Sequence, residues 1–170
     1  MKKTLAFALA ALLLLLPGCA GQTAGTLDFL RRPARITLKP DGTELSPVVE
    51  TALTDGGIVP VSLTITAPEA LSGITFRFAG DPPAVTAETE RLSIPLGEGA
   101  GEWLTLWAAA FLFTEDDVLT CDGQTLTAGA AGGRVTLTLS AENGLPTHVE
   151  LDAGGVTRCA AVVWEPLPGT

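Results

Sequence analysis

The sequence predicts a mostly β protein of the α+β kind, an antiparallel sheet accompanied by one or two helices, and three observations carry that prediction. From Pro33 onward apolar residues alternate with polar ones at period two, the pattern of strands with one dry and one wet face. Turn-forming residues punctuate the alternating runs at short intervals, as antiparallel hairpins require. One segment, Trp103 to Phe113, abandons the alternation and is apolar nearly throughout.

The first element is not part of the fold. Met1-Lys2-Lys3 leads into the apolar run Leu5 to Leu16, the basic n-region and apolar h-region of an export signal. An ordinary secretory signal and a short membrane anchor are the alternatives, but spanning takes roughly 20 apolar residues and this run stops at Pro17-Gly18. Leu16-Pro17-Gly18-Cys19 resembles the lipobox of bacterial lipoproteins. That resemblance implies a diacylglycerol on the thiol of Cys19, which becomes the first residue of the mature chain. The expected location is therefore the cell membrane, lipid-anchored and facing outside the cytoplasm, where two acyl chains give a stable hold. The expected division is residues 1–18 signal peptide, residues 19–32 lipidated Cys and tether, and residues 33–170 a single domain. From Ala20 to Arg32 the chain has little periodicity and many small residues, and it spans at most about 45 Å fully extended.

Removing residues 1–18 leaves 152 residues, enough to bury one core. Lys2 and Lys3 leave with the signal, so 8 basic residues face 19 acidic ones, a formal charge of −11 with His148 neutral. Such a surface repels nucleic acid and bare anionic headgroups. With Cys19 committed to lipid, Cys121 and Cys159 remain as an even pair in a compartment where disulfides persist. Paired, they would close a loop of about 40 residues, worth on the order of 4 kcal/mol. The alternative is two free buried thiols acting as small hydrophobes.

Within the domain, Ile36 and Leu38 alternate with Arg35, Thr37 and Lys39; Val61, Leu63 and Ile65 with Ser62, Thr64 and Thr66; Ile74, Phe76 and Phe78 with Thr75 and Arg77. Leu92 and Ile94 repeat the pattern, as do Val135, Leu137 and Leu139, then Val149 and Leu151. Turns are expected at Asp41-Gly42, Asp55-Gly56-Gly57, Gly129 to Gly133, Asn143-Gly144 and Gly154-Gly155, which together predict an antiparallel meander. The exception, Trp103 to Phe113, is rich in helix formers and follows a lead-in whose acids, Glu98 and Glu102, suit a helix N-terminus. A helix apolar nearly all round is covered on more than one side. Either it lies across the sheet as solid core, or Trp103, Trp107 and Phe111, spaced at four, line a cavity for something greasy. A second short helix is expected to start at Thr114, ahead of Glu115-Asp116-Asp117.

Catalytic constellations are hard to find. One His allows no Ser-His-Asp arrangement, and His148 shares its strand face with Glu150 and Asp152, the wet one. No Gly-x-Ser-x-Gly elbow occurs, and the Gly-rich stretches at 97–101 and 129–133 lack the Lys-Ser/Thr of a phosphate loop. Glu115-Asp116-Asp117 lacks the spacing of a calcium loop and reads as a solvated helix start. No cofactor and no metal are expected, and no enzymatic activity.

Ile65-Thr66-Ala67-Pro68-Glu69-Ala70-Leu71-Ser72-Gly73-Ile74-Thr75-Phe76-Arg77-Phe78-Ala79-Gly80-Asp81 resembles the strand, proline-containing corner and strand of small Gram-positive lipoproteins related to the LolA/LolB-like lipoprotein carriers. Gly133 to Leu151, with Asn143-Gly144-Leu145-Pro146 between two strands, resembles their later hairpin. The resemblance covers Pro33 to Trp164, the stretch from Pro82 to Thr120 only in order and character. It implies a curved antiparallel sheet or half-barrel lidded by a central apolar helix, with a hollow between them that receives acyl chains. Phe76 and Phe78 join Trp103, Trp107 and Phe111 as the expected cavity lining. The expected function is a non-catalytic envelope lipoprotein binding an acyl chain, lipid or lipidated partner between sheet and helix. A solid-cored lipoprotein binding another envelope protein through its acidic face or sheet edge is the alternative.

Overall fold

The computed structural model describes residues 27–54, 57–79, 84–96, 102–130 and 133–168, and within its α-helix the side chains from Leu106 onward. Strands β1 (Ala34–Pro40), β2 (Ser46–Thr54), β3 (Gly57–Ala67), β4 (Thr75–Ala79), β5 (Ala84–Glu88) and β6 (Ser93–Pro95) precede helix α1 (Glu102–Ala109). Strands β7 (Val118–Asp122), β8 (Thr125–Ala130), β9 (Gly133–Leu139), β10 (Pro146–Ala153) and β11 (Val156–Pro166) follow it. All eleven form one curved, unclosed antiparallel sheet in the order β6-β5-β4-β3-β2-β1-β11-β10-β9-β8-β7.

That order is two meanders rather than one. The first runs outward from β1 to the edge strand β6, and the second runs inward from the opposite edge, β7, to β11. The seam between them is the β1–β11 ladder, from Ala34↔Pro166 to Pro40↔Ala160. The tight connections are made where the sequence supplies φ > 0. Gly154 and Gly155 sit at φ 60° and 76°, closing the β10–β11 hairpin in the twist that two-residue turns favour.

One face of the sheet is continuous and dry. Register places Ile94, Ala87, Phe76, Leu63, Val49, Ile36 and Trp164 in a single row across seven strands from β6 to β11. A second row runs Pro40, Ala160, Val149, Leu137, Leu126, Cys121 from β1 to β7. Leu63, Val49, Ile36, Ala160, Val149, Leu137 and Leu126 are fully buried. Burial fades toward the edges, and Ile94 on β6 is 46% exposed. The one polar residue on this face of β2, Thr51, is matched to the backbone of Ala34, whose N–H donates to Thr51 Oγ1 at 2.8 Å and whose carbonyl accepts from it at 3.2 Å. On the other face Arg35 pairs with Glu50 and Arg77 with Glu88, as a wet surface allows.

Three expectations change. The helix is eight residues long, not eleven, since α1 ends at Ala109. Phe111 N donates to Ala108 O and Leu112 N to Ala109 O, i→i+3 bonds that tighten the last turn. Beyond it Phe111 and Phe113 are buried while Leu112 is 47% exposed, and two large side chains two residues apart reach one core only from extended chain. The central apolar lid is not confirmed: the helix is about 12 Å long and packs on β3 of the eleven-stranded sheet.

The second change concerns the cysteines. Cys121 and Cys159 are both free. They lie on β7 and β11, four positions apart in the strand order, and a disulfide needs Cα atoms within about 7 Å. The third concerns where packing begins. Asp28–Arg31 forms a 3-10 turn whose Phe29 and Leu30 are buried in the main core, so the packed unit starts ahead of Pro33. The short helix expected after Thr114 is present as a 3-10 turn, Glu115–Asp117, with the Asp117 carboxylate accepting from both the backbone N–H and the hydroxyl of Thr114.

Candidate functional site

Because β6 and β7 are opposite edges, the chain between them has to cross the sheet, and its apolar residues cross on the dry face. Trp107, Ala108, Ala110, Phe111 and Phe113 are all buried, and Trp107, Ala110, Phe111 and Phe113 belong to the same core as the strand rows. Phe111 stands edge-on to Trp164 of β11 at 5.8 Å between ring centroids, and Trp164 stands edge-on to Phe29 at 5.1 Å. Trp164 is thus the hinge point of an aromatic trio that locks the crossing segment and the N-terminal turn to the seam strand. Its indole N–H is buried with no hydrogen-bond partner among the described residues.

At the other end of the crossing the packing opens. A pocket of about 520 Å³ lies beside Trp107, within the size range of small-molecule sites. Pro40, Leu45 and Trp107 give it an apolar wall, and Asp41, Thr43, Thr157, Arg158 and Cys159 complete it. The β1–β2 loop forms one side, held by the Asp41 N–H bonding to the Cys159 carbonyl at 2.9 Å, and the first residues of β11 form the other. Burial pushes the Cys159 thiol up from its ordinary pKa, and the negative charges of Glu150 and Asp41 push it further, so it is a poor nucleophile here. A smaller depression of about 200 Å³ lies against Phe29 and Trp164, between the N-terminal turn and Asn143-Gly144-Leu145.

Of the residues expected to line a cavity, Trp107 and Phe111 share one core, with Phe76 and Phe78 packed against it. Trp107, 2% exposed, borders the larger pocket, while Phe111 is buried against Trp164. Phe76 and Phe78 are half-buried on β4 and pack against the core from its edge. The side chain of Trp103 lies outside the described residues, and so does Cys19. Arg158, Leu45 and Trp164 escaped notice, yet β11 carried a signal for two of them: Val156, Arg158, Ala160, Val162 and Trp164 form a period-two series with one cation in it. Among the described residues no group of three or more His, Cys, Asp or Glu side chains could hold a metal ion, and no helix is long and apolar enough to cross a membrane.

Comparison with known proteins adds little at residue level. No family model and no curated protein sequence matches this chain. Among solved structures it is similar to the hypothetical protein CT021 from Chlamydia trachomatis, with a TM-score of 0.41 and 10% identity, covering 82% of this chain and 94% of that one. It is also similar to the lipoprotein LppX of Mycobacterium tuberculosis, with a TM-score of 0.40 and 13% identity, covering 85% of this chain and 93% of that one. Neither neighbour transfers a residue role to this chain. Among the described residues the pocket presents an apolar wall, two hydroxyls, one carboxylate, one guanidinium and one thiol around an open volume.

Proposed function

We propose that this chain is an exported, non-catalytic lipoprotein, held at the membrane by a diacylglycerol on Cys19, that takes an acyl chain, a lipid or a lipidated partner between its sheet and the crossing segment. The observation that carries the reading is the pocket of about 520 Å³ beside Trp107, at the dry face of the sheet. Each methylene removed from water there contributes about 0.8 kcal/mol, the same per-carbon value that holds an acyl chain in the bilayer. The anchor keeps the pocket within reach of membrane lipid.

Native mass spectrometry of the purified protein tests the binding, with co-purified lipid as the expected result and an empty protein that also refuses added fatty acid as the result against it. Cys19→Ser tests the anchor: the variant should leave the membrane fraction, and its recovery there at the wild-type level would remove the lipidation from the proposal. A protein-binding role is favoured by a separate observation, the exposed apolar residues Leu92 and Ile94 next to and on the edge strand β6 and Leu119 on the edge strand β7, where unpaired backbone can accept a partner's strand.

A further inference from the structure

We infer that Arg158 makes the pocket beside Trp107 selective for an anionic amphiphile, an alkyl chain carrying a carboxylate or phosphate head. This rests on the reading above that the pocket takes a chain, and it names which chain.

Arg158 is on the wrong face for an arginine. In the β10–β11 register it lies directly opposite Leu151, and it is two residues from Ala160, both fully buried, so its side chain leaves the sheet on the dry side. Its Nη1 is buried with no hydrogen-bond partner among the described residues. Four other arginines behave differently, since Arg31, Arg32, Arg35 and Arg77 each reach a carboxylate. A buried guanidinium nitrogen without an acceptor is costly, more so than a neutral donor. Its neighbours on this face, Leu151 and Ala160, are apolar and offer it no acceptor.

The pocket supplies the setting. Arg158 lines it together with Trp107 and Leu45, so a bound molecule meets an apolar wall and a guanidinium at once. The only carboxylate in the lining, Asp41, is solvent-exposed and forms no ion pair with Arg158 among the described residues. An oxyanion on the ligand is then the acceptor that Arg158 lacks, and the fork of guanidinium donors suits carboxylate and phosphate alike. The net negative charge of the protein does not oppose this, because exposed charges are screened beyond about 10 Å whereas Arg158 acts at contact distance.

The test uses the full chain in a neutral detergent, titrated with laurate, with dodecanol and with inorganic phosphate, and read by native mass spectrometry and tryptophan fluorescence. Wild type should bind laurate about tenfold or more tightly than dodecanol, as a charge-assisted hydrogen bond implies. Phosphate alone should bind far more weakly than laurate. Arg158→Gln should abolish the preference for laurate over dodecanol, while Arg158→Lys should keep part of it. Thermal unfolding of Arg158→Gln should match or exceed wild type, because an unpaired buried charge is removed. Equal binding of laurate and dodecanol to wild type would overturn the role of Arg158 and leave the lipid-binding reading standing. Binding of neither would overturn both. Phosphate binding as tight as laurate would also overturn it, by making the site one for a free anion.

Discussion

Replacing Phe29 by Ala separates the folded N-terminal turn from a mere tether. Phe29 is 5% exposed, and its ring stands at 79° to that of Trp164, 5.1 Å away. Truncating a buried Phe to Ala costs about 3–5 kcal/mol, of which the lost edge-to-face pair accounts for roughly 0.5–1.5. The turn Asp28–Arg31 can also detach as a unit, so the loss saturates at the free energy that docks it, to which Leu30 and the Arg31–Glu115 pair contribute as well. We expect about 3 kcal/mol, which for a domain of this size lowers Tm by roughly 6–12 °C. Urea unfolding followed by tryptophan fluorescence measures it, with an unchanged m-value showing that the same unit unfolds. Asp28→Ala, at an exposed neighbour, should shift stability by less than about 0.5 kcal/mol. A Phe29→Ala midpoint within that same margin would mean that residues 28–31 do not belong to the cooperative fold, and the packing argument for the N-terminal turn would fall.

Other outcomes follow from single residues. Alkylation in denaturant without reductant should add two adducts from Cys121 and Cys159, and in the native protein Cys159 should react more slowly than a free thiol at the same pH, because burial and then Glu150 and Asp41 raise its pKa. Glu115 is held below its ordinary pKa of 4.5 by the hydrogen bond from Arg31, so its contribution is present above that value and is lost as pH falls through the lower folded-state one. The difference in urea midpoint between wild type and Glu115→Gln should accordingly vanish in acid, and a constant difference across pH would show that the pair does not act through charge. Gly133→Ala should destabilise by roughly 1–3 kcal/mol, since the added Cβ would lie 2.2 Å from the Asp152 carbonyl oxygen, a backbone atom that cannot swing aside. An unchanged Tm for that variant would contradict the β9–β10 register.

The sequence made strands visible where an apolar series alternates cleanly. Ile36 and Leu38, Leu63 and Ile65, and Val135, Leu137 and Leu139 all turn out to be inward residues of β1, β3 and β9. β2 is harder to see because Val48 and Val49 are adjacent and its inward series includes Thr51, whose polarity is absorbed by the backbone of Ala34. β8 ends in Ala128, Gly129 and Ala130, residues with no strand signature of their own, and its inward alanines are set by neighbours on β9. The crossing segment was legible as apolar but not as a shape, because the choice between helix and extended chain at Phe111–Phe113 is made by the core it has to fill. Of the site, Trp107 could be read from composition. Arg158 is marked only by its place in the alternation from Val156 to Trp164, and the buried partner Leu151 is what fixes that series as inward.

The seam between β1 and β11 also sets a schedule. β1 gains its hairpin neighbour β2 almost as soon as it is made, but the other edge of β1 stays open until residues 156–166 arrive. Until then Ile36 and Leu38 sit on an unsatisfied strand edge in the middle of the eventual sheet. Closing it brings together residues more than a hundred positions apart, so the final step carries the largest loop entropy of the fold. The nascent chain is therefore most vulnerable to self-association just before completion, and a factor that shields β1 during that window would raise yield without touching the stability of the finished protein.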